Sequence, residues 1–249
     1  MASSNQFEAT FDDHGSRTGG VAVADPRDAL TTPELMHAPP SAWIDQFEAV
    51  YHASGGELDR IPWAHAQACP WLLSWLNVEA PALVRPGARV AVVGCGLGQD
   101  AAALADRGYD VTALDACPSA IEWARKQHAE LPIHFIEADL LKPPARLLRR
   151  FDLVVEVHTL QSLPPTHRAA LARGMADLLT NAGVLIAIAR GRPDGQPLDT
   201  LHHPPFGFTP EELLSVMGAA GLSPVRALDD FQDDSNPPVR RLRGAFQRT

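Results

Sequence analysis

The feature that most constrains this chain is a buried-looking strand that runs into a glycine turn. Arg89-Val90-Ala91-Val92-Val93 is a short apolar run rich in β-branched residues, and Gly94-Cys95-Gly96-Leu97-Gly98 follows at once, before an alanine-rich helical segment from Asp100 to Arg107. A continuous apolar run of this length suits a strand covered on both faces, hence a parallel sheet. Glycines at the turn let backbone approach a ligand closely. The spacing is Gly-x-Gly-x-Gly, with Gln99 where the dinucleotide fingerprint wants its third glycine. The next strand closes on Asp115, a carboxylate able to accept two hydrogen bonds from a ribose diol. Turn and carboxylate together predict a nucleoside-cofactor site.

Alternation continues along the chain. Strands are expected at 110–114, 133–136, 152–157 and 184–189, with helices at 119–130, 166–179 and 210–220. That pattern predicts an α/β fold with a doubly wound, mostly parallel sheet. Two extended stretches, 222–228 and 239–247, flank a loop of Asp, Ser, Asn and Pro, and are expected to close the sheet as an antiparallel hairpin. Across it, Arg240, Arg241, Arg243 and Arg248 face Asp229, Asp230, Asp233 and Asp234, so charge pairing is expected and a basic binding patch is not. Ahead of the sheet, Trp43, Phe47, Val50 and Tyr51 recur at helical intervals behind an N-cap at Ser41, and a second helix spans Pro70 to Asn77. These form an N-terminal helical cap, with residues 1–40 a flexible tail and 41–249 the single domain.

The 249 residues leave room for little more than one core. With 45% hydrophobic and 20% charged residues and a net charge of −9, the composition is globular, and its field repels phosphate backbones and anionic lipid. A small-molecule partner is expected, with no nucleic acid and no membrane, and monomer or dimer left open. The absence of a long apolar run or a leader pattern predicts a cytoplasmic location. Cys69, Cys95 and Cys117 form no CxxC pair, which predicts reduced thiols. His202-His203 lacks a third ligand at metal spacing, so no metal is expected. Cys95, small and inside the turn, reads as a cofactor neighbour rather than a nucleophile.

In the glycine turn, Asp115 and the third strand's close at Glu137-Ala138-Asp139-Leu140, the chain resembles the class I S-adenosylmethionine-dependent methyltransferases. Within them it is most similar to the thiopurine S-methyltransferase group, through the aromatic N-terminal helix, Cys95-Gly96, Ala105-Asp106-Arg107-Gly108, Phe151-Asp152 and Pro204-Pro205-Phe206. The resemblance implies that S-adenosylmethionine is the cofactor. It would place Trp63 over the methionine end, Gly94, Cys95, Gly96 and Gly98 along the amino-acid portion, Asp115 and Ala116 at the ribose, Ala138, Asp139 and Leu140 beside adenine, and Glu156 and Val157 under the transferred methyl. Members of that group often carry Arg directly after the acidic residue closing the fourth strand; here Val157 and His158 stand instead.

The implied reaction is methyl transfer to a small acceptor, with thiol sulfur favoured and an oxygen or nitrogen acceptor the nearest alternative. A nicotinamide-dependent oxidoreductase and a non-catalytic nucleoside-binding module are the more distant ones. His158, just past the fourth strand, is the candidate general base, since an imidazole near pKa ~6.5 suits proton abstraction. Gln161, Arg190 and Phe206 are candidate acceptor contacts. Arg190 and Arg192 sit where doubly wound folds place ligands, and either would suit an acidic substrate or a solvated loop.

Overall fold

The computed structural model of the chain describes Leu30 and residues 33–248. Eight strands make one sheet: β1 Arg89–Val93, β2 Asp110–Asp115, β3 Ile133–Glu137, β4 Phe151–Val157, β5 Leu179–Arg190, β6 Leu222–Pro224, β7 Asp229–Gln232 and β8 Arg240–Arg248. Their order is β3-β2-β1-β4-β5-β8-β6, with β7 also paired to β8. Strands β1 to β5 are parallel, and β8 runs antiparallel to β5, β6 and β7. Among the described residues the α-helices are α1 Pro40–Ser54, α2 Pro70–Val78, α3 Ala80–Leu83, α4 Gln99–Ala105, α5 Pro118–Gln127, α6 Arg168–Leu178 and α7 Pro210–Ala219. None of the described helices is long and apolar enough to cross a membrane.

Strand alternation feeds two cores. Ala91, Val93, Val154 and Leu185 point to the face covered by α6, α7 and Trp43 of α1, whereas Val90, Val92, Leu153 and Val155 meet Leu72 and Trp75 of α2 and Leu104 of α4. A sheet apolar on both faces has to be sandwiched by helices, which is why the central strands carry apolar runs, Val90–Val93 in β1, Leu153–Val155 in β4 and Val184–Ala189 in β5. The point where strand order reverses lies between β1 and β4, so the glycine turn after β1 and the loop after β4 share one crevice.

Three expectations need correction. Helix α1 begins at Pro40, with Pro39 as its N-cap, rather than behind Ser41; proline's fixed φ fits the first helical position and needs no side-chain cap. The supposed tail is built into the core over its last described residues. Pro33–His37 forms a 3₁₀ turn, Leu30 and Leu35 are buried against the α6–α7 face, and the Leu35 carbonyl accepts the indole N–H of buried Trp43 at 2.8 Å. Earlier residues lie outside the described chain. Finally, part of the polar loop at 229–234 is strand β7, since its carboxylates pair with β8: Asp229 with Arg243, Asp230 with Arg240, Asp233 with Arg241.

Packing of the segment ahead of α1 has a measurable consequence. Leu35→Ala should cost about 2 kcal/mol of unfolding free energy, the low end for a buried leucine because a site near the chain end can partly collapse. Urea denaturation of wild type and variant reads this directly; an unchanged midpoint would mean that Leu35 contributes no packing.

Candidate cofactor and acceptor site

After β1 the backbone enters the left-handed region at Gly94, Gly96 and Gly98, with φ of 59°, 50° and 88°. Three such residues in five turn the chain sharply into α4, and a side chain at any of them would be strained. At Gly96 a Cβ would lie 3.1 Å from the Tyr51 hydroxyl, and at Gly94 it would overlap the Thr159 side chain. Gly98 is different: a Cβ there would meet His128 and Phe135, so this buried glycine serves the packing of α4 on β3.

Asp115 ties the turn to the end of β2. Its Oδ2 accepts the Gly96 N–H at 2.8 Å and its Oδ1 the Cys117 N–H at 2.9 Å, which leaves each oxygen further accepting capacity. Burial raises its pKa, and the two N–H donors oppose that rise. The neighbouring Ala116 is half-buried, and the Ala138 N–H donates to the Asp115 carbonyl at 2.8 Å, which brings 138–139 beside the same carboxylate. Asp139 closes its own turn by accepting the Leu141 N–H at 2.8 Å. Leu140, expected beside adenine, is instead spent on packing: its side chain is in the core and its carbonyl lies against Gly174 of α6.

Over the turn stands an aromatic wall that sequence spacing did not reveal. Trp63 donates its indole N–H to the Tyr51 hydroxyl at 2.9 Å, with ring centroids 5.6 Å apart, and Phe47 lies edge-on to Trp63 at 5.3 Å. Trp63 is therefore half-buried, with Tyr51 as its post. The helix that carries Tyr51 is anchored by Glu48, which accepts the N–H and hydroxyl of Ser119 at the start of α5. Burial, then the Asp115 charge, push the Tyr51 pKa well up, so it is a phenol and not a phenolate. Burial likewise raises the Cys95 thiol well above its ordinary value, with the Asp115 charge adding to it, so Cys95 is no nucleophile.

At the end of β4 the side chains diverge. Val157 packs toward the α2–α4 face. Glu156 is fully buried; its Oε1 accepts the Leu160 N–H at 3.0 Å and its Oε2 has no partner. Burial pushes its carboxyl up to about 7, against the bonds from the loop N–H groups. The folded chain thus keeps this proton up to about pH 7, whereas the unfolded chain releases it near the ordinary value of 4.5. The native state binds more protons between those values, so this group's stabilisation is full below 4.5 and is lost as pH rises through 7. Glu156→Gln should remove that slope: its stability relative to wild type should rise from pH 5 to pH 8 in denaturant titrations, and parallel curves would refute the buried acid.

His158 does not make a general base. Its backbone is left-handed at φ 65°, its Nε2 faces an Arg241 N–H at 3.4 Å, and burial together with the Arg241 charge pulls it down to about 3. A ring that holds a proton so weakly cannot take one from an acceptor. Among the acceptor contacts, Phe206 is fully buried against Trp43 with centroids 5.7 Å apart, so it packs the core. The Gln161 side chain is occupied too, since its Oε1 accepts the Arg190 N–H at 2.5 Å. Arg192 is buried in a bidentate pair with Glu212, not in a solvated loop. Only Arg190 is exposed at this site.

With this geometry in hand, residues 90–183 match the family model described as a methyltransferase domain. That segment is similar to the methyltransferase family, and the sheet that contains it has the Rossmann-like methyltransferase fold. The chain is 29% identical to the carboxy-S-adenosyl-L-methionine synthase of Dichelobacter nodosus over 53% of its own length and 56% of that protein's. It is 31% identical to the ubiquinone biosynthesis O-methyltransferase of Xanthomonas campestris pv. campestris over 58% and 54%. The chain thus spans about half the length of these relatives. The chain also superposes, with a TM-score of 0.64 and 20% identity over 88% of its length and 92% of the other, on the Burkholderia thailandensis 1,6-didemethyltoxoflavin-N1-methyltransferase solved with 1,6-didemethyltoxoflavin and S-adenosylhomocysteine. That likeness shows the fold.

Proposed function

We propose that the chain transfers a methyl group from S-adenosylmethionine to a small-molecule acceptor, with a thiol sulfur as the nucleophile. The carrying observation is Asp115, whose carboxylate bridges the end of β2 to Gly96 and keeps free accepting capacity for a ribose diol inside the methyltransferase domain. The residues present fit that cofactor. Gly94 and Gly96 hold the turn open in conformations that exclude side chains, Asp115 would accept the ribose hydroxyls, Ala138 and Asp139 would border adenine, and Trp63 on Tyr51 would cover the methionine end.

Bound there, S-adenosylmethionine supplies a methyl group already activated by its sulfonium. What remains for the chain is to align an acceptor and to keep water out, and alignment supplies much of the rate in such a transfer. The Trp63–Tyr51–Phe47 wall is apolar enough to exclude water while positive charge is lost from the sulfonium. The sulfur preference is supported by the state of His158, the candidate base. A phenol or amine acceptor needs its proton removed, and His158, held down at about 3, cannot do that. A thiol, with an unperturbed pKa of ~8.5, ionises in part without help. This reading also agrees with the resemblance to the thiopurine S-methyltransferase group, whose O- and N-methylating cousins remain the alternative acceptor class.

The test is a calorimetric titration with S-adenosylmethionine, followed by mass analysis of S-adenosylhomocysteine formed with panels of thiols, phenols and amines. Binding with turnover of thiols is expected. No binding at millimolar cofactor would defeat the reading, and turnover confined to phenols or amines would defeat its sulfur part.

A further inference from the structure

Resting on the methyl-transfer reading, we propose that the acceptor carries a carboxylate, gripped by Arg190 at the end of β5 with Arg241 of β8 beside it. Arg190 and Arg241 are direct cross-strand partners in the β5–β8 ladder. Directly opposed residues of an antiparallel pair project from the same face, and like charges in that position repel. The fold places two guanidiniums together at the carboxyl end of β5, in the crevice where doubly wound sheets bind their ligands.

What distinguishes Arg190 is the accounting of charge around it. Each neighbouring arginine has a carboxylate of its own: Arg192 has Glu212, Arg240 has Asp230 and Asp194, and Arg243 has Asp229. Arg241 has Asp233, whose Oδ2 accepts its Nε at 2.8 Å. Asp233 is largely engaged, because its Oδ1 also takes the N–H and hydroxyl of Ser235 and the N–H of Val239, and it reaches Arg190 only as a through-space charge weaker than the opposing Arg241. Among the described residues the Arg190 guanidinium has no hydrogen bond or ion pair, and the hydrogen bonds of this residue are made by its backbone, the N–H to Gln161 and the carbonyl from Phe208. It is nevertheless exposed and held at a fixed strand end.

The surroundings extend the same polarity. Arg241 stacks on the Trp71 ring, 4.4 Å from its centroid, and the His158 ring stands edge-on to Trp71 at 6.3 Å, within reach of the same guanidinium. Burial and then the Arg241 charge hold both His158 and His65 below their ordinary values, so each presents a neutral ring to this pocket. A chain of net charge −9 therefore gathers two guanidiniums against one carboxylate, Asp233, at the end of β5. A planar, bidentate fork suits a carboxylate, and an aromatic floor at Trp71 suits a flat acceptor body.

The experiment uses calorimetry on the full chain with S-adenosylhomocysteine added first, then titrates phenylacetate, 3-hydroxybenzoate and 4-mercaptobenzoate, each against its primary amide. At least one carboxylate should bind about tenfold tighter than its amide, as expected for a charge-assisted pair. Arg190→Gln should bring that ratio to about twofold or less, and Arg190→Lys should keep part of it. The affinity for S-adenosylhomocysteine should be the same in all three proteins. Equal binding of acid and amide throughout the panel, or a preference that survives Arg190→Gln, overturns the proposal. If S-adenosylhomocysteine itself fails to bind, the methyl-transfer reading falls, and the acid–amide comparison on the chain alone still decides the anion site.

Discussion

Glu212→Ala is expected to lower the unfolding free energy by about 3–5 kcal/mol, the cost of stranding buried cations. Glu212, at the first turn of α7, holds Arg192 through both carboxylate oxygens and Arg168 at 3.4 Å. Arg168 and Arg192 are 2% and 8% exposed, so neither can turn to water when the carboxylate is removed. Arg168 keeps the carbonyls of Phe206 and Gly207 and the Phe208 ring, but these carry no compensating charge. The substitution also dismantles a capping box, in which Thr209 Oγ1 accepts the Glu212 N–H and Glu212 accepts the Thr209 N–H. Glu212→Gln preserves an acceptor for the cap and not the charge, so most of the loss should remain.

The pH dependence has a definite sign. Burial raises the Glu212 carboxyl, but the bonds from Arg192 and Thr209 outweigh it and hold the group below its ordinary value. The stabilisation is therefore present above the ordinary carboxylate range and fades as pH falls through the lowered value. A double-mutant cycle with Arg192→Ala isolates the pair, because the double variant should lose clearly less than the sum of the two single losses. Strict additivity would show that the two groups do not act as a unit. The pair also bears on acceptor binding: the Phe208 N–H donates to the Arg190 carbonyl and the Arg192 N–H to the Phe208 carbonyl, which fixes the strand end that carries Arg190.

The sequence was most legible where one physical requirement dominated. Strands buried on both faces had to be apolar throughout, so β1 to β5 were placed within a few residues, and the glycine turn and Asp115 were recognisable because few other functions demand that combination. Legibility failed where a partner distant in sequence decides the outcome. Asp229–Gln232 is polar and reads as a loop, yet it is a strand because β8 supplies arginines in register with its carboxylates. Leu35 looks like one apolar residue in a polar tail until Trp43 is seen to donate to its carbonyl. Tyr51 was visible only as part of a helical stripe, and nothing local ties it to Gly96, 45 residues on. His158 follows the same logic, since its basicity is lowered first by burial and then by Arg241, on a strand 83 residues away.

Asp115→Ala should weaken cofactor affinity by about 1.5–3 kcal/mol, or roughly 10- to 150-fold, because a charge-assisted acceptor for two hydroxyls disappears. It should also cost stability, as the Gly96 and Cys117 N–H groups lose their partner at about 1–3 kcal/mol each. The two effects can be separated, since a distorted turn would weaken binding without any ribose contact. The discriminating experiment is a cycle of wild type and Asp115→Ala against S-adenosylhomocysteine and its 2′,3′-dideoxy analogue, measured by calorimetry. If the carboxylate holds the diol, wild type should lose most of its affinity for the dideoxy analogue, and the variant should bind both ligands alike. If both proteins lose the same factor on removal of the hydroxyls, Asp115 only shapes the turn. Asp115→Asn sharpens the distinction. Its single amide oxygen can satisfy one of the two N–H groups while its NH₂ is forced against the other, so the turn is disturbed as well as the charge removed. The asparagine variant is therefore expected to fall close to the alanine variant in stability and in cofactor affinity.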